Sequence, residues 1–114
     1  MAFTTDEIQT IEWIMKGFMS KRRPPVEIRN KVDLAYKIEG QSIEIYEIRP
    51  KYNGDGKINL PIAKTTFSRS TNKWKIYWQK SDLKWHQYDQ PKEVDDIKDF
   101  IKIVDDDSLG CFWG

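Results

Sequence analysis

Between Lys73 and Tyr88 the chain reads Lys-Trp-Lys-Ile-Tyr-Trp-Gln-Lys-Ser-Asp-Leu-Lys-Trp-His-Gln-Tyr, which holds three of its five tryptophans and two of its five tyrosines. The chemistry of these side chains is that of a polyanion contact. Lysine ammonium groups neutralise phosphates, and aromatic faces stack on unpaired bases at roughly 1–3 kcal/mol per base. Trp74, Ile76 and Trp78 alternate with Lys73, Lys75 and Tyr77, the period of a strand with one buried and one wet face. Leu83 to Tyr88 alternates likewise, and a tight turn at Ser81-Asp82 would set Trp78 opposite Trp85 and Tyr77 opposite His86. On that register Lys73, Lys75, Tyr77, Lys84, His86 and Tyr88 share the wet face, joined by Lys64 from the preceding strand. These residues are the candidate nucleic-acid surface, although Lys and Tyr are also ordinary on the outer face of any sheet.

A second constellation is Asp33 with Glu47-Ile48-Arg49, which superficially fits a metal-dependent nuclease carrying Asp on one strand and Glu-x-Lys on the next. Two features oppose it. Arg49 stands where lysine belongs, and a guanidinium does not give up its proton. Hairpin pairing also puts Asp33 and Glu47 on opposite faces. Glu47 and Arg49 do fall on the inward face together, as a charged pair at the sheet's end or the lining of a polar pocket. No metal or cofactor is expected. Asn53-Gly54-Asp55-Gly56 mimics the middle of a calcium loop but lacks acidic residues at its first and last ligand positions, Lys51 and Ile62. Asp105-Asp106-Asp107 reads as a solvated helix end. His86 is the sole histidine and Cys111 the sole cysteine, with no basic neighbour to activate the thiol, so hydrolase triads are set aside.

The elements that must position these groups are legible from pattern. Thr4-Thr5-Asp6-Glu7 has the form of a capping box, and Ile8, Ile11, Ile14, Met15 and Phe18 make one helical stripe. Trp13 lies off that stripe, and covering by another part of the chain is the expected solution. The helix ends at Lys21-Arg22-Arg23-Pro24-Pro25, where the basic residues suit the negative end of its dipole. Val32 to Glu39 and Ser42 to Pro50 predict a hairpin turning at Gly40-Gln41, with Ile38 against Ile43, Tyr36 against Ile45, Leu34 against Glu47 and Lys37 against Glu44. A third strand, Ile62 to Arg69, places Ala63, Thr65 and Phe67 opposite Trp78, Ile76 and Trp74. After Pro91 a second helix is predicted with Val94, Ile97, Phe100, Ile101 and Val104 inward and Glu93, Asp95 and Asp96 in its first turn. The apolar ending Leu109-Gly110-Cys111-Phe112-Trp113-Gly114 predicts docking, onto Trp13 or an open sheet edge.

Arg22-Arg23-Pro24-Pro25, Gly40-Gln41-Ser42, Glu47-Ile48-Arg49-Pro50, Trp74-Lys75-Ile76-Tyr77-Trp78, Asp82-Leu83-Lys84-Trp85-His86 and Gly110-Cys111-Phe112-Trp113-Gly114 occur in this order. In this combination the chain resembles a small bacterial family, the domain-of-unknown-function family numbered three thousand and twenty-four, over nearly its whole length. Trp113 departs slightly, since Phe is the commoner last aromatic there. The resemblance implies bacterial origin and a stand-alone domain of about this length. It implies no catalytic residue.

The totals fit that picture. A chain of 114 residues with no composition break is expected to be one domain. Hydrophobic content of 39% against 32% charged residues is a globular balance. No apolar run nears the roughly 20 residues that cross a bilayer, no leader is recognisable, and a cytoplasmic address is expected. Net charge of +1 conceals an asymmetry. Residues 61–92 hold 7 basic to 2 acidic side chains, whereas residues 93–114 hold 2 to 7. The acidic segment either folds back over the basic sheet or leaves it free for a polyanion.

The expected architecture is therefore α+β: a single domain over residues 1–114, with an antiparallel sheet of about five strands packed by an N-terminal and a C-terminal helix. The leading functional expectation is a non-catalytic nucleic-acid-binding domain taking single strands on the 62–88 meander. The alternative is a protein-interaction module or homodimer anchored by Trp13, Phe112 and Trp113. A nuclease-like enzyme using Asp33, Glu47 and Arg49 stands behind both.

Overall fold

A computed structural model describes residues 2–52, 54–79 and 82–113. The chain forms helix α1 (Thr5–Arg22), strands β1 (Asp33–Glu39), β2 (Ser42–Pro50), β3 (Lys57–Ser68), β4 (Lys73–Gln79), β5 (Trp85–Gln87) and β6 (Glu93–Val94), and helix α2 (Ile97–Asp106). The fold is α+β, as the periodicities imply. The sheet is antiparallel throughout the order β1-β2-β3-β4-β5, and β6 pairs with β4 on the same edge as β5.

Helix α1 starts on the capping box read from sequence. Thr4 Oγ1 accepts from the Glu7 amide at 3.2 Å, and Glu7 Oε1 accepts from the Thr4 amide at 2.8 Å. Ile11, Met15 and Phe18 are buried against the sheet, and Phe3 stacks on Trp74 with centroids 5.7 Å apart. Trp13 is not covered as expected; it is 72% exposed. Among the described residues no element passes over the outer side of α1, because both helices lie side by side on one face of the sheet.

The β1–β2 hairpin adopts the expected register, with Ile38 opposite Ile43, Tyr36 opposite Ile45 and Leu34 opposite Glu47. Gly40 takes the positive φ of +60° that its two-residue turn requires. The β3–β4 pairing also agrees, setting Ala63, Thr65 and Phe67 against Trp78, Ile76 and Trp74. Strand β3 begins earlier than predicted, at Lys57, and an irregularity lets it follow β2 to its end: Ile45 faces Ala63 while the next residue, Tyr46, faces Pro61. Asn53, part of the glycine-rich loop noted above, lies outside the described residues.

Two elements differ from expectation. Helix α2 begins at Ile97, because Asp96 acts as its N-cap and accepts the Lys98 amide at 3.0 Å. Glu93–Val94 consequently extends the sheet beside Trp74 and Lys75. The apolar tail docks, but not on Trp13. Asp107, in a left-handed conformation at the end of α2, accepts the amides of Phe112 at 3.1 Å and Trp113 at 2.9 Å. Phe112 stacks on Tyr88 at 5.2 Å, and Trp113 Nε1 donates to the Val104 carbonyl at 2.8 Å.

The core therefore lies wholly between the helices and one sheet face. Ile43, Ile45, Ala63, Ile76, Tyr88, Phe100, Val104 and Phe112 are all buried there. No layer covers the other face among the described residues. Among the described residues no helix is long and apolar enough to cross a membrane.

Candidate nucleic-acid interface

The uncovered face is assembled by alternation. Along β4, Trp74, Ile76 and Trp78 turn toward the helices, so Lys73, Lys75 and Tyr77 turn away. Cross-strand pairing brings Lys64 beside Tyr77, Thr66 beside Lys75 and Ser68 beside Lys73. Beyond them Glu44 pairs with Lys64, and Ser42 with Thr66 through a 2.7 Å hydroxyl contact. Of the seven residues expected on this face, Lys64, Lys73, Lys75 and Tyr77 are found there.

His86 and Tyr88 are not. The β4–β5 register is offset by one from the expected one, with Gln79 opposite Trp85, Trp78 opposite His86 and Tyr77 opposite Gln87. An offset of one exchanges the faces of every residue in the strand. His86 turns to the helix side, 6.1 Å from the Trp78 ring, and Tyr88 is only 2% exposed in the core. The cause lies in Asp82. Its carboxylate accepts the Lys84 amide at 3.0 Å and contacts His86 Nε2 at 2.9 Å, while Leu83 adopts φ +63°. That local loop is longer than a two-residue turn. Of the predicted turn pair, Ser81 lies outside the described residues. Lys84 is exposed in this loop rather than on the strand.

Trp85 takes the place that His86 and Tyr88 vacate. The Lys64 ammonium lies 4.7 Å from the centroid of the Trp85 ring and 5.2 Å from that of Tyr77, so one cation sits against two aromatic faces. A hollow of about 290 Å³ opens next to it, lined by Lys37, Glu39, Ser42, Glu44, Lys64 and Trp85. The spacing of Asp82 from Lys84 and His86 was the available sign of a longer loop, and with it of Trp85's outward face.

Charge on this face is mixed. Lys37 pairs with Glu44 at 3.4 Å and Glu39 at 3.6 Å, and Lys73 pairs with Asp95. Glu93 lies beside Lys75. The acidic C-terminal segment thus meets the basic sheet along the β4–β6 edge and leaves its centre open. Among the described residues Lys64, Lys75 and Lys84 make no ion pair with a carboxylate.

The other predicted groups lie on the far side or at the ends. Arg23 grips Asp33 with two bonds of 2.9 Å, and the Leu34 amide donates to the same carboxylate. Glu47 accepts from Arg49 at 3.1 Å, and both line a hollow of about 260 Å³ with Asp33, Arg22 and Trp113. Asp33 and Glu47 reach one hollow at the sheet's end despite their opposite faces, each already held by an arginine. Arg22 binds the Asp105 carboxylate and carbonyl at 2.8 Å and covers the Trp113 ring at 4.6 Å. Arg22 in the last turn of α1 and Arg23 at its C-cap are therefore engaged within the fold, and Lys21 is exposed. Among the described residues no group of three or more His, Cys, Asp or Glu side chains could hold a metal ion. Phe112 is 5% exposed, which removes it as a surface anchor.

The Arg23–Asp33 pair and a second one, Arg69 with Glu7 at 2.9 Å, give a pH dependence. The Arg69 guanidinium, with the Thr4 amide, holds Glu7 down from 4.5 to about 2, and Arg23 holds Asp33 down from 3.8 to about 2. Carboxylates depressed by folding contribute stability that is present above their unfolded values and lost as pH falls toward the folded ones. The melting temperature should hold at neutral pH and fall between about pH 4.5 and 2. Glu7→Gln and Asp33→Asn should each flatten that fall in thermal melts across pH; an unchanged slope in both would remove these pairs from the acid response.

The profile of a family described as a domain of unknown function, DUF3024, matches residues 3–114. No curated protein and no solved structure matches the chain.

Proposed function

The chain belongs to the DUF3024 family, whose description carries no activity, and we propose from its surface chemistry that it binds single-stranded nucleic acid on the uncovered sheet face. The observation that carries this reading is the Lys64 ammonium held between the rings of Tyr77 and Trp85 on a face that no other layer covers. A sheet backed by helices, with aromatic rings and cations on its open side, suits unpaired bases: rings stack on any base, and ammonium groups meet the phosphates between them. A duplex offers its bases only at groove edges, which rings lying along a sheet face, Trp85 among them on the edge strand β5, do not reach. Residues assigned to binding are Lys64, Lys75, Tyr77 and Trp85, with Lys84 reaching in from the β4–β5 loop. Lys73 is tied to Asp95, and its contribution is smaller. We place this activity in a bacterial cytoplasm.

The mixed charge of the face makes the expected salt response shallow. Three lysines that make no ion pair among the described residues would neutralise about three phosphates, giving a slope of log affinity against log salt of about −2 for a single strand. Fluorescence anisotropy with labelled single-stranded DNA, single-stranded RNA and duplex DNA at several salt concentrations measures it. Binding that prefers single strands, has this slope and disappears in Lys64→Glu/Lys75→Glu supports the reading. Absence of binding at low salt, or equal binding by the double variant, refutes it.

A further inference from the structure

The outer face of the helical layer carries a feature that the nucleic-acid reading does not use. Trp13 projects from the middle of α1 with 72% of its surface exposed, and one turn further on Gly17 leaves open space where a side chain would stand. Between them lies an apolar hollow of about 470 Å³, lined by Trp13, Ile14, Lys16, Gly17 and Lys98. A large aromatic knob and a hole thus sit side by side on one helix, four residues and about 6 Å apart along its axis.

We propose that this face binds a second copy of the chain, in a two-fold arrangement in which Trp13 of each copy fills the hollow over Gly17 of the other. The geometry favours self-association because a two-fold axis crossing α1 at the height of Met15 exchanges positions 13 and 17, so one contact formed twice satisfies both knobs and both holes. Charge agrees with this. Glu7 is paired with Arg69 and Arg22 with Asp105 within the chain, whereas among the described residues Asp6 in the first turn of α1 and Lys21 in its last turn make no ion pair. The same axis runs the two helices antiparallel and brings Asp6 of each copy near Lys21 of the other, with the helix dipoles opposed. Lys16 and Lys98, at the hollow's rim, then stand beside the incoming tryptophan ring. A parallel pairing would set like charges together and leave both hollows empty. The dimer turns the two uncovered sheet faces outward, so nucleic-acid binding does not depend on it.

Light scattering and sedimentation over a concentration series up to the sub-millimolar range test the proposal. The unaltered chain is expected to pass from monomer to dimer, and Trp13→Ala to remain a monomer. Gly17→Gln separates association from folding, since glutamine is the better helix former yet fills the hollow; it is expected to keep its helical circular dichroism and lose the dimer. Asp6→Lys should weaken the dimer, and adding Lys21→Asp should restore it. A monomer at every concentration, or a dimer that persists in both Trp13→Ala and Gly17→Gln, overturns the proposal.

Discussion

Phe112→Ala should lower the unfolding free energy by about 3–5 kcal/mol, a large share of what a domain of this size possesses. The ring is buried and stacked on Tyr88. Phe112 lies outside any helix or strand, so its backbone must be held by other bonds. Asp107 does this by accepting two consecutive amides, which makes the end of α2 the clamp of the tail. Asp107→Ala, which touches no apolar contact, should therefore also destabilise, by about 1.5–3 kcal/mol for each of the two bonds to a charged acceptor at most. Urea unfolding of both variants and of a chain truncated after Leu109 measures these effects. A truncated chain as stable as the intact one would show that the tail is not part of the core.

Trp85→Ala and Tyr88→Ala should have opposite consequences although the two aromatics are three residues apart. Trp85 lies on the uncovered face over Lys64, so its removal should weaken single-strand binding by about 1–3 kcal/mol, roughly 5- to 150-fold. Stability should change by less than about 1 kcal/mol, the scale of an exposed cation–π contact. Tyr88 is in the core beneath Phe112, so Tyr88→Ala should cost about 3–5 kcal/mol of stability. Any loss of its binding should follow only from unfolding. The contrast tests the register directly. Had the chain turned at Ser81-Asp82, Trp85 would be inside and Tyr88 outside, and the two phenotypes would exchange. Anisotropy titrations beside urea melts of both variants distinguish these cases.

Much of this molecule follows from its sequence alone. The capping box at Thr4, the β1–β2 and β3–β4 registers and the inward stripe Ile97, Phe100, Ile101 and Val104 are local statements: neighbours a few residues apart determine them, through side-chain periodicity and the geometry of short turns. The family is legible too, since its motifs run in order along the chain. What sequence left open is what depends on groups distant from one another or on a side chain competing with a turn. Asp82 bonding to Lys84 and His86 lengthened one loop and moved Trp85 to the open face and Tyr88 into the core. Asp96 capping α2 released Glu93 and Val94 to the sheet. Tertiary structure alone decided that both helices lie on one side, which leaves Trp13 exposed and the other sheet face bare. Alternation names the two faces of a strand, but which face another layer covers depends on where the whole chain packs.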